Sequence, residues 1–156
     1  MNQDFCHNFK KTLSKFSTGV TVATSKYNND HFGVTVNSFT SLSLDPALIL
    51  FNLGESSHSL DAFIKSDSFN INILSKAQLE IAENFAKPSK DKFNNIKFLE
   101  DDHGNAYFEN NLALISCNFH SYHKVGDHYI IIGQAFHLDR DEKKEPLLYY
   151  NSNFIY

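Results

Sequence analysis

The amino-terminal part of the chain carries apolar residues at the spacing of one helix face. Phe5, Phe9, Leu13 and Phe16 lie at positions i, i+4, i+8 and i+11. This spacing predicts an amphipathic helix, and we expect Gly19 to end it.

Alternation of apolar and polar residues follows the helix and predicts a series of strands. The first run covers residues 18–26 and the second covers 31–40, with Asn28-Asn29 as the turn between them. Because proline cannot lie inside a central strand, Asp45-Pro46 marks the start of the next strand, residues 47–53.

The middle of the chain alternates between the helical period and the strand period. A short helix is predicted over residues 58–65, with a strand over 69–74. Ser75 and Gln78 fit the S-x-x-Q capping box, so a second helix begins here. The apolar positions at helical spacing after the box are Leu79, Ala82 and Phe85.

The last third of the chain predicts an irregular segment and then a long hairpin. Residues 87–106 are polar and are expected to cross the surface, whereas 112–122 and 128–138 are long strands joined by a turn at 124–127. The tail, 146–156, supplies a last strand. The sequence thus predicts six or seven strands, with helices inserted between them mostly one at a time. This pattern is typical of a mainly β protein with peripheral helices, and we expect a small, largely antiparallel barrel.

Composition narrows the classes of function. The 156 residues suit one domain, residues 1–156, and the formal charge of −4 argues against nucleic acid as a partner. No apolar run is long enough to cross a membrane, and the amino terminus lacks the apolar core of a secretory signal. Cys6 and Cys117 show no C-x-x-C spacing, so we expect reduced thiols and a cytoplasmic protein.

Two neighbouring strands each carry a small, polar, uncharged face. If these strands pair as a hairpin, the two faces form a shelf that could accept a flat ligand with polar edges. The other interpretation is an ordinary strand pair rich in threonine, a residue with high β propensity. The residues of the two faces are Gly19, Thr21, Ala23 and Ser25 on the first strand and Gly33, Thr35 and Asn37 on the second.

Ser56 and Ser57 precede the short helix and are the second candidate. A helix start presents unpaired N–H groups that can hold a phosphate, although simple capping is the more common role of a lone Ser-Ser pair. Together, the shelf and the serines could hold the two ends of a nucleotide-like ligand.

The hairpin carries the third candidate, a group of histidines. Cys117, His120, His123, Asp127 and His128 suggest a metal site. However, residues three apart on an extended strand point to opposite faces, so we predict no metal and place His128 at the mouth of a binding site instead. Nucleophile, P-loop and G-x-G-x-x-G motifs do not occur in the sequence.

Six blocks of the sequence, in this order, resemble the flavin reductase-like family of FMN-binding split-barrel proteins. This family includes the small reductase components of two-component flavin monooxygenases. The blocks are FSTGVTVAT (16–24), GVTVNSFTSLSLDP (33–46), SSHSLDAFIKSDSFNINIL (56–74), QLEIAENFA (78–86), GDHYIIIGQA (126–135) and PLLYY (146–150).

The resemblance implies a homodimeric, antiparallel Greek-key split barrel that binds FMN or FAD near the subunit interface and uses NADH or NADPH as substrate. Hydride then passes from the nicotinamide to the flavin without a catalytic side chain. A partner oxygenase is also implied. The implied flavin-binding residues are Thr35, Val36, Asn37, Ser38, Ser41, Phe51, Asn52, Leu53, Ser56, Ser57, Phe85 and Ala86. The implied nicotinamide-binding residues are His128, Tyr150 and Asn151.

Three positions depart from the family pattern. Asn151 follows Tyr150 where the family often has Arg, His58 replaces a frequent Thr or Arg, and Ala47 replaces a proline. The missing Arg motivates a rival hypothesis, a non-catalytic FMN-binding protein that transfers electrons or senses redox state. A metal-binding module using the histidines near residue 120 is the third alternative.

Overall fold

The computed structural model of the protein describes residues 2–156. The helices are α1 (Gln3–Leu13), α2 (Leu60–Lys65) and α3 (Leu79–Ala86), with a 3₁₀ turn at Lys76–Gln78. The first strands are β1 (Thr18–Gly19), β2 (Thr21–Tyr27), β3 (Asp30–Val36), β4 (Thr40–Leu44), β5 (Ala47–Gly54) and β6 (Ser68–Ile73). The later strands are β7 (Leu99–Glu100), β8 (Ala106–Tyr107), β9 (Ala113–Val125), β10 (His128–Arg140), β11 (Leu148–Tyr150) and β12 (Asn153–Ile155).

Seven of these strands form one sheet in the order β3-β2-β6-β9-β10-β5-β4, in which every neighbouring pair is antiparallel. The strands β1, β11 and β12 form a second sheet, and β7 pairs with β8. The predicted antiparallel architecture is confirmed, and so is the long hairpin, here β9 and β10.

Helix α1 ends earlier than predicted. The Ser14 N–H donates to Lys10 O at 2.9 Å, and the next two N–H groups close tight turns onto carbonyls three residues back. The helix therefore stops at Leu13, and Gly19 lies in β1 instead of ending the helix. No residue of α1 is buried.

Other element boundaries also differ from prediction, and the run 18–26 divides into β1 and β2. The run 31–40 divides into β3 and β4, which are separated by residues 37–39, and the tail forms two strands instead of one. Asn151 and Ser152 both have positive φ, 51° and 63°, and turn the chain between β11 and β12. Residues 87–106 include β7 and contribute Phe93 to the core, so they are more than a surface crossing.

Two apolar clusters lie on opposite faces of β2. Ala23 packs with Phe63 of α2 in one cluster, and Val22 packs with Phe85 of α3 in the other. Because helices cover both faces, the strand is buried from Thr21 to Ser25.

The prediction that β2 forms half of an open polar shelf is therefore wrong. Its hydroxyl groups satisfy carbonyl groups inside the protein instead of facing a ligand: Thr21 donates to Val36 O at 3.0 Å and Ser25 to Ser68 O at 3.1 Å. Small polar residues fit this strand because both of its faces are closely packed.

The capping box at Ser75 is confirmed. The Ser75 N–H donates to Gln78 Oε1 at 2.9 Å, and the serine side chain caps the 3₁₀ turn in return. The turn leads directly into α3, which buries Ala82 and Phe85 against β3 and β2. No helix within residues 2–156 has both the length and the apolar character needed to cross a membrane.

Candidate functional site

A cavity of about 390 Å³ opens between the end of β3, the end of β5 and the β9–β10 turn. Most of the predicted flavin positions line it, together with His128. Its lining residues are Val34, Thr35, Val36, Asn37, Ser38, Asn52, Leu53, Gly54, Ser56, Ser57 and His128. Among them His128 is the only one with a titratable side chain, so the cavity is polar but nearly uncharged. We call it the first cavity.

A smaller cavity of about 180 Å³ continues from the first and shares Thr35 and Asn37 with it. Ala86, at the end of α3, lines this extension, as do Tyr149 and Phe154 of the carboxyl-terminal sheet. The extension thus brings Ala86 next to the predicted positions on β3.

The hydroxyl groups of Thr35 and Ser38 are already engaged within the protein. Thr35 Oγ1 donates to Ala82 O at 2.7 Å, which ties β3 to α3. Ser38 Oγ accepts from Asn52 N–H at 2.9 Å and donates to Asn52 O at 3.3 Å, which ties the loop after β3 to β5. Their hydroxyl protons are therefore directed at protein carbonyls, although the family resemblance implies that both residues bind the flavin.

Asn37 is different because its exposed side chain forms no hydrogen bond with any residue from 2 to 156. It lines both the first cavity and its extension. Among Thr35, Asn37 and Ser38, Asn37 alone has a side chain free to donate into the cavity.

Gly33 allows α3 to lie close to β3. A Cβ atom at this position would lie 2.5 Å from Phe85 Cε1 and 3.3 Å from Phe93 Cζ. The close approach places the end of α3, and with it Ala86, beside the residues that follow Gly33 on β3. The glycine is thus required by packing, even though its strand conformation is ordinary.

The β9–β10 turn is fastened to the end of β5. Glu55 N–H donates to Asp127 O at 2.9 Å, and Lys124 forms an ion pair with the Glu55 carboxylate. His128 Nδ1 lies 2.7 Å from Asp127 Oδ1, and this contact lowers the pKa of the exposed Asp127 carboxyl. The imidazole is thereby oriented with Nε2 beside Gly54, 3.7 Å from the position of a Cβ there.

Ser56 and Ser57 lie in a turn instead of at the start of α2. The helix begins at Leu60 with Ser59 as its N-cap, and no side chain caps it. Ser57 N–H donates to Gly54 O at 2.9 Å, and Ser57 Oγ accepts from Ser59 N–H at 3.3 Å. The prediction of a phosphate site on a helix start is therefore wrong in its geometry, although both serines line the first cavity.

Five predicted site residues do not line the first cavity or its extension. The side chains of Phe51 and Phe85 are fully buried in the core, so only their main chains could reach a ligand. Ser41 is exposed on β4, opposite Ile49 of β5. Tyr150 and Asn151 lie beside Lys15, whose Nζ donates to Asn151 Oδ1 at 2.7 Å. Their ligand contacts stay predictions.

The histidines of the hairpin do not assemble into a cluster that could hold a metal ion. Within residues 2–156, no group of three or more His, Cys, Asp or Glu side chains lies close enough to hold a metal ion. Cys117 is buried in the core, and burial raises the pKa of its thiol to about 12.

Several lining residues were not predicted from the sequence. Gly54 and Val34 are neighbours of predicted positions, so the alternation of β3 and β5 could have indicated them. Tyr149 and Phe154 reach the extension because β11, with its hairpin partner β12, pairs with β1, a long-range contact without a local signal.

Comparisons with known proteins identify the family. Residues 13–155 match the family of flavin reductase like domains, so the chain belongs to this family. It is 34% identical over 147 residues to a flavin reductase of Pseudomonas putida, covering 94% of this chain and 86% of that protein. The resemblance inferred from the six blocks is confirmed.

Solved structures show the same fold. A nitrilotriacetate monooxygenase component B homologue from Mycobacterium thermoresistibile has a TM-score of 0.92 at 32% identity, covering 97% of this chain and 86% of that one. The NADH:FAD oxidoreductase SgcE6 of Streptomyces globisporus C-1027, in complex with NAD and FAD fragments, has a TM-score of 0.93 at 27% identity, covering 100% of this chain and 94% of that one. The predicted mainly β split-barrel class is confirmed.

Proposed function

We propose that this protein is an NAD(P)H-dependent flavin reductase that transfers hydride from NADH or NADPH to FMN or FAD. The observation that carries the proposal is the convergence of uncharged polar groups from β3, β5 and the 55–59 turn on one cavity, in a chain of the flavin reductase-like family. Its volume of about 390 Å³ lies within the range of ligand pockets, roughly 300–1,000 Å³.

The donor set of the first cavity fits a flavin. Asn37 offers an amide to the polar edge of the ring, and Ser56 and Ser57 offer hydroxyls to the ribityl phosphate. The absence of carboxylates from the lining leaves no negative charge to repel that phosphate. Bound flavin would supply the hydride-accepting chemistry. The residues around it would bind the flavin and orient its ring.

We propose that the nicotinamide ring of NADH or NADPH packs against the side chain of His128. Its ring is oriented by Asp127 and lies at the edge of the first cavity beside Gly54. An imidazole fixed in this way can hold the nicotinamide ring against the flavin ring, at the near-attack distance of roughly 3–3.5 Å that hydride transfer requires.

Steady-state kinetics test this function. Purified protein should accelerate the oxidation of NADH or NADPH in the presence of FMN or FAD. The variant His128→Ala should raise the KM for the nicotinamide substrate while the flavin Kd changes little, and His7→Ala, at an exposed histidine of α1, serves as the matched control. The proposal fails if the protein gives no rate above a control without protein.

We also propose that the protein acts as a homodimer. Phe5, Phe9 and Leu13 of α1, and Phe16 just after its end, remain 53–77% exposed in the single chain. An 11-residue helix with no buried residue is marginal in water on its own, which favours cover by a second copy.

Light scattering tests the dimer. We expect the mass of two chains for the wild type, with a shift toward one chain in Phe9→Asp and none in Asn8→Asp, which adds the same charge to the same helix. A single-chain mass for the wild type would contradict the proposal.

The remaining proposals concern cellular context. Likeness to a monooxygenase component supports a partner oxygenase that receives the reduced flavin. Two free thiols support a cytoplasmic location. The proposed functional domain comprises residues 1–156.

A further inference from the structure

The segment after α3 returns to the end of that helix at Lys92. The Lys92 Nζ donates to Phe85 O at 2.8 Å and to Gly33 O at 3.1 Å. Phe85 lies in the last turn of α3, whereas Gly33 lies on β3, an edge strand of the seven-stranded sheet. A single side chain therefore joins the end of a helix to the edge of a sheet.

Both carbonyl groups lie where regular secondary structure leaves acceptors without an N–H partner. The last four C=O groups of an α-helix have no partner within the helix, and the helix dipole favours a cation near them. An edge strand likewise leaves main-chain groups unpaired on its outer side. The Lys92 side chain is half-buried, and burial lowers the pKa of its ammonium group. Its contacts with the two carbonyls are therefore only partly screened by water.

The main chain at Lys92 is also fastened to α3. Asn84 Nδ2 donates to Lys92 O at 2.6 Å, so residue 92 is tied to the end of the helix through both its main chain and its side chain. The hydrogen bond from Thr35 Oγ1 to Ala82 O joins β3 to α3 about one turn earlier. Lys92 thus holds the last turn of the helix, beyond the position that Thr35 reaches.

The two carbonyl groups belong to the residues directly before two lining residues of the site. Phe85 precedes Ala86, which lines the extension, and Gly33 precedes Val34, which lines the first cavity. Lys92 itself lines neither the first cavity nor the extension. The lysine therefore fixes the spacing between α3 and β3 at the point where both elements reach the site.

We infer that Lys92 is a positioning residue of the flavin site, one that holds Ala86 at a fixed distance from β3. The inference rests on the proposed function, because the first cavity and its extension must hold the flavin ring beside Asn37. Without the ammonium group, the end of α3 loses its link to β3 and Ala86 shifts. Such a shift changes both the affinity for flavin and the alignment of the ring for hydride transfer.

Flavin fluorescence titration of Lys92→Met is the first test, because methionine keeps an unbranched side chain but has no donors. The Kd for oxidised FMN should rise about 2- to 13-fold, the equivalent of one neutral hydrogen bond. In protein saturated with FMN and the nicotinamide substrate, flavin reduction should slow by about tenfold or more, since a misplacement of about 1 Å can cost about 100-fold. A residue that contributed only to folding stability would leave this saturated rate unchanged.

Two further variants separate positioning from a general loss of stability. Lys92→Arg keeps donors on a long cationic side chain and should recover most of the wild-type affinity for FMN. Lys144→Met is the matched control, because Lys144 is also half-buried and donates to a main-chain carbonyl, Asn111 O, at 3.4 Å, but lines neither the first cavity nor the extension. Its Kd for FMN and its saturated rate should equal those of the wild type.

The inference is overturned if folded Lys92→Met binds and reduces FMN as the wild type does, or if Lys92→Arg or Lys144→Met is impaired as strongly. If Lys92→Met does not fold, Asn84→Ala decides: it removes the hydrogen bond to Lys92 O and should also raise the Kd for FMN, and an unchanged Kd overturns the inference. In each of these outcomes the wild type still reduces FMN, so the proposed function stands. Wild-type protein that does not reduce FMN would contradict the proposed function itself, and this inference with it.

Discussion

Asn37→Ala separates an effect on ligand binding from an effect on folding. The Asn37 side chain is exposed and makes no hydrogen bond within residues 2–156, yet it lines both the first cavity and its extension. Its removal should leave the free energy of unfolding within about 0.5 kcal/mol of the wild type, as for ordinary surface substitutions.

The expected effect on binding follows from one lost hydrogen bond. A neutral hydrogen bond contributes about 0.5–1.5 kcal/mol, so the Kd for oxidised flavin should rise roughly 2- to 13-fold. A hydrogen bond to a charged group contributes about 1.5–3 kcal/mol, so the affinity for reduced, anionic flavin should fall by more, roughly 13- to 160-fold. The midpoint potential of bound flavin should therefore become more negative in the variant.

Thr35→Val provides the contrast at a neighbouring residue. Thr35 donates to Ala82 O at 2.7 Å, so the valine variant loses a bond that joins β3 to α3. We expect a loss of stability of about 1–2 kcal/mol and a decrease in Tm of roughly 2–8 °C for a chain of this size.

Flavin fluorescence titrations and thermal unfolding of both variants provide the measurements. The reasoning is refuted if Asn37→Ala binds oxidised and reduced flavin as tightly as the wild type, or if its Tm falls as far as that of Thr35→Val.

Two further predictions concern packing and thiol reactivity. Gly33→Ala should destabilise the fold by about 1–3 kcal/mol, because its Cβ would lie 2.5 Å from the buried Phe85 ring; Gly19→Ala, with nothing within 4 Å, should change little, and equal denaturant midpoints would contradict this. Because burial raises the pKa of Cys117 to about 12, its thiol stays protonated near neutral pH. Native protein should therefore expose one reactive thiol per chain, Cys6, to a thiol reagent, and denatured protein two; two rapidly reacting thiols in native protein would be the contrary result.

The elements that were predicted correctly are those whose signals lie close together in the sequence. The box formed by Ser75 and Gln78 was identified because both partners lie within one turn. The β9–β10 hairpin was identified because two long strand-forming runs flank the turn at 124–127. Six collinear blocks then identified the family.

The burial of faces was harder to predict because it depends on distant segments. The polar side chains of Thr21 and Ser25 are typical of the solvent-facing side of a strand. In the structure, however, α2 and α3 cover the two faces of that strand. Helix α1 shows the converse: its apolar period predicted a helix correctly, yet no part of residues 2–156 buries Phe9.

The candidate site shows the same difference between local signals, which the sequence reveals, and contacts between distant elements, which it does not. The sequence placed Thr35 and Ser38 near the ligand but could not show that their hydroxyls bond to Ala82 and Asn52, which lie in other elements. Asn37, between them, is left as the free donor.

Anaerobic mixing of the flavin-loaded protein with one equivalent of NADH or NADPH tests the central claim most directly. A flavin reductase should bleach the oxidised flavin absorbance with one flavin reduced for each nicotinamide oxidised, faster than the two react without protein. Flavin that stays bound and oxidised with both nucleotides would contradict the proposed function and favour a non-catalytic flavoprotein.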